Sequence, residues 1–365
     1  MNRMILANLL HRPMRSLISI VAIAVEVTLI LVIVGFSLGM LNDSKERQAG
    51  IGADVIVQPP GASFLAGLSG APIPVKVGGV IAKLPHVEVV APVVMHFTST
   101  TAEVIYGIDL ESYDGLRPFR FLAGGPFTGP DTILVDNYYA SAHNVSVGTQ
   151  LEVLNHTVTV SGIVEQGRGA RKFLPMGTLQ SWIGAPDKAS VFYLKLDDPR
   201  NADLVVNEIK SVPGMEGYKA LSIGEYLSLF TAGNLPGLKA FLGVVIGVSM
   251  VIGFIVIFQA MYTAVMERTR EIGILKSLGA SKLYIVNLIL RETALLAAAG
   301  TILGIIISYV SSNAIKARFQ TLPLSIQPAW VGYAIAIAIV GAILGALFPA
   351  FKAAQKDPID ALAYE

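Results

Sequence analysis

Four long apolar runs and their spacing constrain this chain more than any short motif. Ser16–Leu41 stands near the amino terminus, residues 42–236 follow as a mostly polar stretch, and Gly237–Val265, Val286–Ser312 and Pro328–Phe351 fill the last third. As a helix rising about 1.5 Å per residue, each run can cross about 30 Å of hydrocarbon. The expected fold is an integral membrane α-helical protein with four transmembrane helices and a large water-facing α/β domain inserted between the first and second. The expected divisions are 1–41, 42–236 and 237–365.

Composition agrees with this layout. Hydrophobic residues make up 53% of the chain and charged residues 15%, against about 25% charged in ordinary soluble domains. A formal net charge of +1 argues against a nucleic-acid binder. The absence of cysteine excludes disulfides, thiolate metal sites and a thiol nucleophile. Ser16–Leu41 is too long for the apolar part of a signal peptide, and it ends on Gly39-Met40-Leu41-Asn42, which is no small-residue cleavage site; a retained anchor is expected.

Four spans place both ends on one side. The flanks and the loop on that side carry Arg3, Arg12, Arg15, Arg268, Arg270, Lys276, Lys282, Lys352 and Lys356, whereas Asn313–Gln327 opposite carries Lys316 and Arg318. The positive-inside rule makes the ends cytoplasmic and places residues 42–236 outside. Within that domain, strands are expected at Asp54–Gln58, Val89–Val94, Glu103–Ile108 and Val191–Leu196, with a hairpin around Asn155-His156. Helices are expected near Gly79–Leu84, Asn137–His143 and Ala202–Ser211. Gly61–Pro74 reads as a loop, and Asn42–Gln48 and Leu221–Ala232 as outward helical extensions of the first and second spans.

The strongest local signal is the cytoplasmic segment Met266–Ser281. Ile272, Leu275 and Leu278 recur every third residue and predict a narrow apolar stripe on a short helix bearing Arg268, Arg270, Glu271 and Lys276. Gly279 suits the left-handed position after a helix, and Ser281 suits the N-cap of the next. Two readings of the helix stand on the residues alone: it docks into a cytoplasmic partner, or it lies among lipid headgroups.

Arg268, Glu271, Ile272, Gly273, Ile274, Leu275, Lys276, Leu278, Gly279, Ala280 and Ser281 resemble the R-x-x-E-I-G-I-L-K-x-L-G-A-S signature of FtsX-like ABC permeases, the superfamily that includes MacB-type exporters and LolC/LolE lipoprotein releasers. Other similar segments are the lead-in Asn8–Leu17, Gly52-Ala53-Asp54-Val55, Leu134-Val135-Asp136, Val147-Gly148-Thr149, Val160–Val164, and a closing pattern of Pro349-Ala350, Ala353-Ala354, Asp357-Pro358 and Ala361-Leu362. Ala363 departs from it where many members carry Arg. The resemblance implies a permease in the bacterial inner membrane, with a periplasmic core domain. It implies a dimer with a second permease subunit, no cofactor on this chain, and ATP and Mg held by a separate cytoplasmic ATPase whose cleft receives the Met266–Gly279 helix. A periplasmic adaptor and an outer-membrane protein are further partners of such systems.

No Gly-Lys pair occurs in the chain, so the phosphate-cradling G-x-x-x-x-G-K-[ST] loop is absent. Gly35-Phe36-Ser37-Leu38-Gly39 matches the G-x-S-x-G pattern of hydrolases but lies inside an apolar run, where the required strand-to-helix turn has no place. His11, His86, His96, His143 and His156 are scattered. No catalytic, cofactor or metal site is expected.

Each span carries one G-x-x-x-G pair: Gly35/Gly39, Gly243/Gly247, Gly300/Gly304 and Gly341/Gly345. Such pairs admit close helix packing, within a subunit or across a dimer. Glu26 is the one ionisable residue well inside a span, a gating candidate or a packing partner for a polar group such as Gln259. Arg291-Glu292 are expected to bond each other or the cytoplasmic helix. Arg168, Arg171 and Lys172 read as a basic loop, solvated or in contact with an adaptor or anionic cargo. The expected function is ATP-driven export or extraction of a hydrophobic cargo (antibiotic, peptide, lipoprotein or lipid) by mechanotransmission. The rival is a membrane-anchored regulator of a periplasmic hydrolase or signalling partner. An ion-coupled secondary transporter fits poorly, since such folds carry inverted repeats and polar midplane sites.

Overall fold

The computed structural model describes residues 13–61, 72–98, 103–231, 233–318 and 322–356. The Asn8–Arg12 lead-in, most of the Gly61–Pro74 segment and the closing residues Asp357, Pro358, Ala361 and Leu362 lie outside the described residues.

In chain order the elements are α1 (Pro13–Ala49), β1 (Val55–Gln58), β2 (Ile73–Pro74), α2 (Lys76–Ile81), β3 (Val87–Thr98), β4 (Glu103–Ile108), α3 (Leu110–Leu116), β5 (Phe121–Gly124), β6 (Thr132–Asp136), α4 (Asn137–His143), β7 (Gln150–Val153), β8 (His156–Val164), β9 (Lys172–Pro175), α5 (Met176–Trp182), β10 (Lys188–Ala189), β11 (Val191–Leu196), α6 (Ala202–Ser211), β12 (Lys219–Ser222), α7 (Ile223–Ser228), α8 (Pro236–Glu267), α9 (Thr269–Ser277), α10 (Lys282–Arg318) and α11 (Pro328–Gln355). They divide into two compact units, one holding the membrane-length helices and one spanning Leu41–Leu235.

In the membrane unit, α1, α8, α10 and α11 are each long and apolar enough to span a bilayer. Each exposes large apolar side chains such as Val25, Val248, Ile306 and Val340, as a lipid-facing helix does. Small residues set the internal packing. A Cβ on Gly300 or Gly304 of α10 would lie 2.7 Å from Ile23 Cβ and 2.7 Å from the Ala24 carbonyl of α1. Thr28 Oγ1 donates to the Gly304 carbonyl at 3.1 Å. A Cβ on Gly345 of α11 would lie 2.8 Å from the Phe254 carbonyl of α8.

The outer unit is a mixed sheet in the order β12-β1-β11-β3-β4-β9-β6-β8-β5, with β7 also pairing β8. Pairings are antiparallel except β4 with β9 and β6 with β8. Two apolar clusters fill it, one around Val57, Phe192, Leu194 and Ile209 beneath α6, the other around Ile105, Val135, Val160 and Leu179 beneath α4 and α5. The β7–β8 hairpin turns on Leu154 and Asn155, both at positive φ, one residue earlier than the sequence suggests.

The two expected helical extensions differ. α1 runs unbroken through Asn42–Gln48 to Ala49. Leu221–Ala232 does not form one helix: Leu221 and Ser222 close β12, α7 is short, and the described residues between Ser228 and Pro236 are turns. Asn234 N donates to the Thr231 carbonyl and its side chain to that of Ser228. Gly233 and Pro236 explain why a helix does not continue there.

Candidate functional site: the segment between the second and third spans

α8 ends because Arg268 leaves helical geometry, at φ −108° and ψ 17°. The Thr269 hydroxyl donates to the Val265 and Met266 carbonyls at 3.2 and 2.9 Å, fastening the new helix to the last turn of the old one. α9 is therefore shorter than Met266–Gly279. Its end is a two-bond cap: Gly279 N reaches the Lys276 carbonyl and Ala280 N the Leu275 carbonyl, both at 3.0 Å. Gly279 sits at φ +91°, a conformation that disfavours any side chain. Ser281 Oγ then accepts from Tyr284 N at 3.2 Å and opens α10.

Two bonds brace the inner side of α9. Arg268 Nη1 lies 3.0 Å from Glu292 Oε2 and 3.2 Å from Oε1 on α10, with the two side chains 12% and 4% exposed. Arg291, exposed, is not part of that pair. Lys276 Nζ donates to the Ala354 carbonyl at 3.0 Å and to that of Lys356, satisfying carbonyls that the end of α11 leaves open. Thr269 and Gly273 are buried, and Ile272, Leu275 and Lys276 half-buried. The hollow behind the helix is lined by Met261, Val265, Ile272, Leu275 and Ile289, with Glu271 at its margin.

The expected Ile272-Leu275-Leu278 stripe is corrected by this geometry. Leu278 is 80% exposed because the inner face turns through Thr269, Gly273 and Lys276, where small size and hydrogen bonding admit close approach. The outward face holds Arg270, Glu271, Ile274, Ser277 and Leu278.

Glu26 is 5% exposed, and its Oε1 has no hydrogen-bond partner. Its carboxyl occupies the space that a side chain on Gly253 of α8 would need: a Cβ there would fall 2.0 Å from Oε2. Gln259 is exposed and is not its partner, which corrects that pairing. Gly253 is the residue sequence reasoning missed; its isolated position in an apolar run gives no pattern to read. Among the glycine pairs, Gly35 and Gly39 face no helix. Ser325 N donates to the Gly35 carbonyl at 3.0 Å, and a Cβ on Gly39 would collide with the Pro323 carbonyl. Gly243, Gly247 and Gly341 meet nothing within 4 Å.

Arg168, Arg171 and Lys172 do not form a solvated basic loop. Arg168 lies over the Phe119 and Tyr113 rings at 4.7 and 5.5 Å and donates to the Pro118 carbonyl; burial lowers its pKa. Arg171 pairs with Asp43 at 3.1 Å, and Lys172, at the start of β9, with Glu103 at 2.7 Å. All three hold the outer domain together and are not presented to a partner.

Comparison with known proteins agrees with this architecture. The MacB-like periplasmic core domain family matches residues 16–212, and the FtsX-like permease C-terminal family residues 243–358. The chain is 24% identical over its whole length to a Bacillus subtilis (strain 168) protein described as an uncharacterized ABC transporter permease, YknZ, covering 98% of it. It is also 24% identical over its whole length to the macrolide export ATP-binding/permease protein MacB of Neisseria meningitidis serogroup A, of which it covers 60%. Among solved structures, the periplasmic region of MacB from Actinobacillus actinomycetemcomitans matches 49% of this chain and 92% of that one, at 16% identity and a TM-score of 0.39. With family matches covering both the inserted domain and the last three spans, the chain belongs to the MacB and FtsX-like ABC transporter permeases, multi-pass membrane proteins with an extracellular domain between their first two spans.

Proposed function

We propose that this chain is the membrane subunit of an ATP-driven export system, and that a separate cytoplasmic ATPase seats on the outward face of α9. The observation that carries this reading is the two-sided character of that helix. Its inner side is tied to α10 through Arg268–Glu292 and to α11 through Lys276. Its outer side leaves charged and apolar groups together, Arg270 and Glu271 beside Ile274 and Leu278. A helix lying among headgroups has no use for rigid bracing; a helix that receives a push does. Membership of an ABC permease family implies an ATPase partner. The printed names of the MacB relatives join an ATP-binding part to a permease, which supports ATP and Mg acting on a partner and not on this chain.

In this reading the ends are cytoplasmic in a bacterial inner membrane and the outer domain is periplasmic. Two permease subunits act together. ATP-driven closure of the motor displaces α9, and the outer domain changes shape. Macrolide export by the MacB relatives, as their names state it, supports a hydrophobic cargo: an antibiotic, peptide, lipoprotein or lipid. An adaptor and an outer-membrane protein would complete the path. The test is Glu271→Arg and Ile274→Glu on the outward face, which should abolish coupled ATP turnover and export while leaving membrane assembly intact. Wild-type turnover and export in both variants would reject the reading.

A further inference from the structure

The outer end of α1 is built into the outer domain by a buried polar joint. Gln48 Nε2 donates to Tyr106 Oη and Gln48 Oε1 accepts from Tyr193 Oη, both at 2.8 Å. Both tyrosines are fully buried, on β4 and β11. A single side-chain amide therefore bonds two strands on opposite sides of β3 in the sheet. Around it, Gly169 N donates to the Arg47 carbonyl at 2.9 Å. Gly50 is so tight against Gly167 that a Cβ would lie 1.8 Å from its carbonyl. Asp43 takes the Arg171 bond at 3.1 Å. The membrane portion of the same helix is seated on α10 at Gly300 and Gly304, and α10 carries Glu292, the partner of Arg268 at the head of α9.

Among the described residues, no helix continuous with the second span enters the outer domain. Among the described residues, Leu229–Leu235 connects α7 to α8 through turns, and turns absorb displacement that an unbroken helix transmits.

We infer, resting on the coupling function proposed above, that motion reaches the outer domain through α10 and α1, and that Gln48 is the positioning residue that locks α1 to the sheet. α8 follows passively at its outer end. Removing the amide takes from each of two buried hydroxyls its bond to α1 and leaves them only each other, so the helix end can turn without carrying β4 and β11 along. Gln48→Glu keeps two acceptor oxygens within reach of both hydroxyls and restores part of the link.

The test uses the full chain in complex with its ATPase, with hydrogen exchange compared with and without ATP and Mg. Exchange in Thr269–Ser277 reports the inner event, and exchange in β9 and α4 the outer one. In the wild type both change with nucleotide. Gln48→Leu should keep the inner change and reduce the outer one by about fivefold or more, with Gln48→Glu in between. A Gly-Gly-Gly insert after Met40, which leaves every Gln48 contact in place, should do the same as Gln48→Leu. The same insert between Gly233 and Asn234 should leave both changes intact. An outer change that survives Gln48→Leu and the Met40 insert, or that is lost only on insertion at Gly233, overturns the inference while leaving the coupling reading standing. A wild-type complex with no nucleotide response in Thr269–Ser277 rejects both.

Discussion

Arg268 Nη1 reaches both carboxylate oxygens of Glu292, at 3.0 and 3.2 Å, across the break between the second span and the helix that follows it. The pair fixes the corner of the segment between the second and third spans to the third span. Removing one member of a mostly buried ion pair costs about 3–5 kcal/mol in comparable pairs, whereas replacing both by apolar groups is often neutral. Arg268→Ala is expected to lower the thermal midpoint of the detergent-solubilised protein markedly, and Arg268→Met with Glu292→Leu to recover most of the loss. Equal losses in the single and double variants would show that the pair does not act as a unit.

Glu26 and Gly253 are a second coupled pair. Gly253→Ala places a methyl 2.0 Å from the Glu26 carboxyl, an overpacking that typically costs about 1–3 kcal/mol. In a Glu26→Ala background that clash is removed. The double-mutant cycle should show a coupling energy of about 1 kcal/mol or more; additive effects on the unfolding midpoint would contradict the contact.

Asp136 gives the outer domain a pH signature. Its Oδ1 caps α4 by accepting from Tyr139 N at 2.6 Å, while its Oδ2 is buried without a hydrogen-bond partner. Burial pushes its pKa up from 3.8 to about 6, against the opposing pull of the Tyr139 amide and Arg171. The folded state thus holds the proton more tightly than the unfolded chain. This contribution is gained as pH falls from about 6 towards about 4 and lost as pH rises through that window, with an upper bound of about 3 kcal/mol. Asp136→Asn, which can still cap the helix, should remove that part of the pH dependence. The measurement is amide exchange in Asn137–His143 at about pH 5 and about pH 7.5, compared between wild type and variant. An unchanged pH slope in Asp136→Asn would show that the carboxyl does not titrate there.

Gly50 tests the joint between the first helix and the outer sheet from the backbone side. A methyl at this position meets the Gly167 carbonyl at 1.8 Å, and backbone cannot swing aside as a side chain can. Gly50→Ala should destabilise the outer domain by about 2 kcal/mol or more, read as faster exchange in β9 and in Arg47–Ile51. Wild-type exchange in that variant would mean the two segments are not in contact.

What the sequence displays is what depends on neighbours along the chain. The four spans are legible because hydrocarbon thickness demands a run of apolar residues, and Gly279 and Ser281 because a left-handed turn and an N-cap are local requirements. The strands β4 and β11 show through their β-branched and aromatic content. What is not legible depends on partners distant in sequence. Arg168, Arg171 and Lys172 read as a solvated loop because their partners Phe119, Asp43 and Glu103 lie far away along the chain. Gly253 is unremarked until Glu26 is seen against it. Leu278 fits an apolar stripe by spacing and yet faces outward, because Lys276 and Gly273 decide the inner face. The break in the second helical extension follows from Gly233 and Pro236, whose weight is hard to judge against an amphipathic flank.

The most direct test of the coupling account uses the chain's lack of cysteine. A single Leu278→Cys, at the exposed apolar residue that follows the last turn of α9, can carry a short photo-crosslinker in intact cells. The account predicts a crosslink to an ATP-hydrolysing protein that weakens with Glu271→Arg, and labelling only by reagents that enter the cytoplasm. Crosslinks to lipid alone, or labelling of Leu278→Cys from the same side as Leu204→Cys on the outer domain, would contradict it.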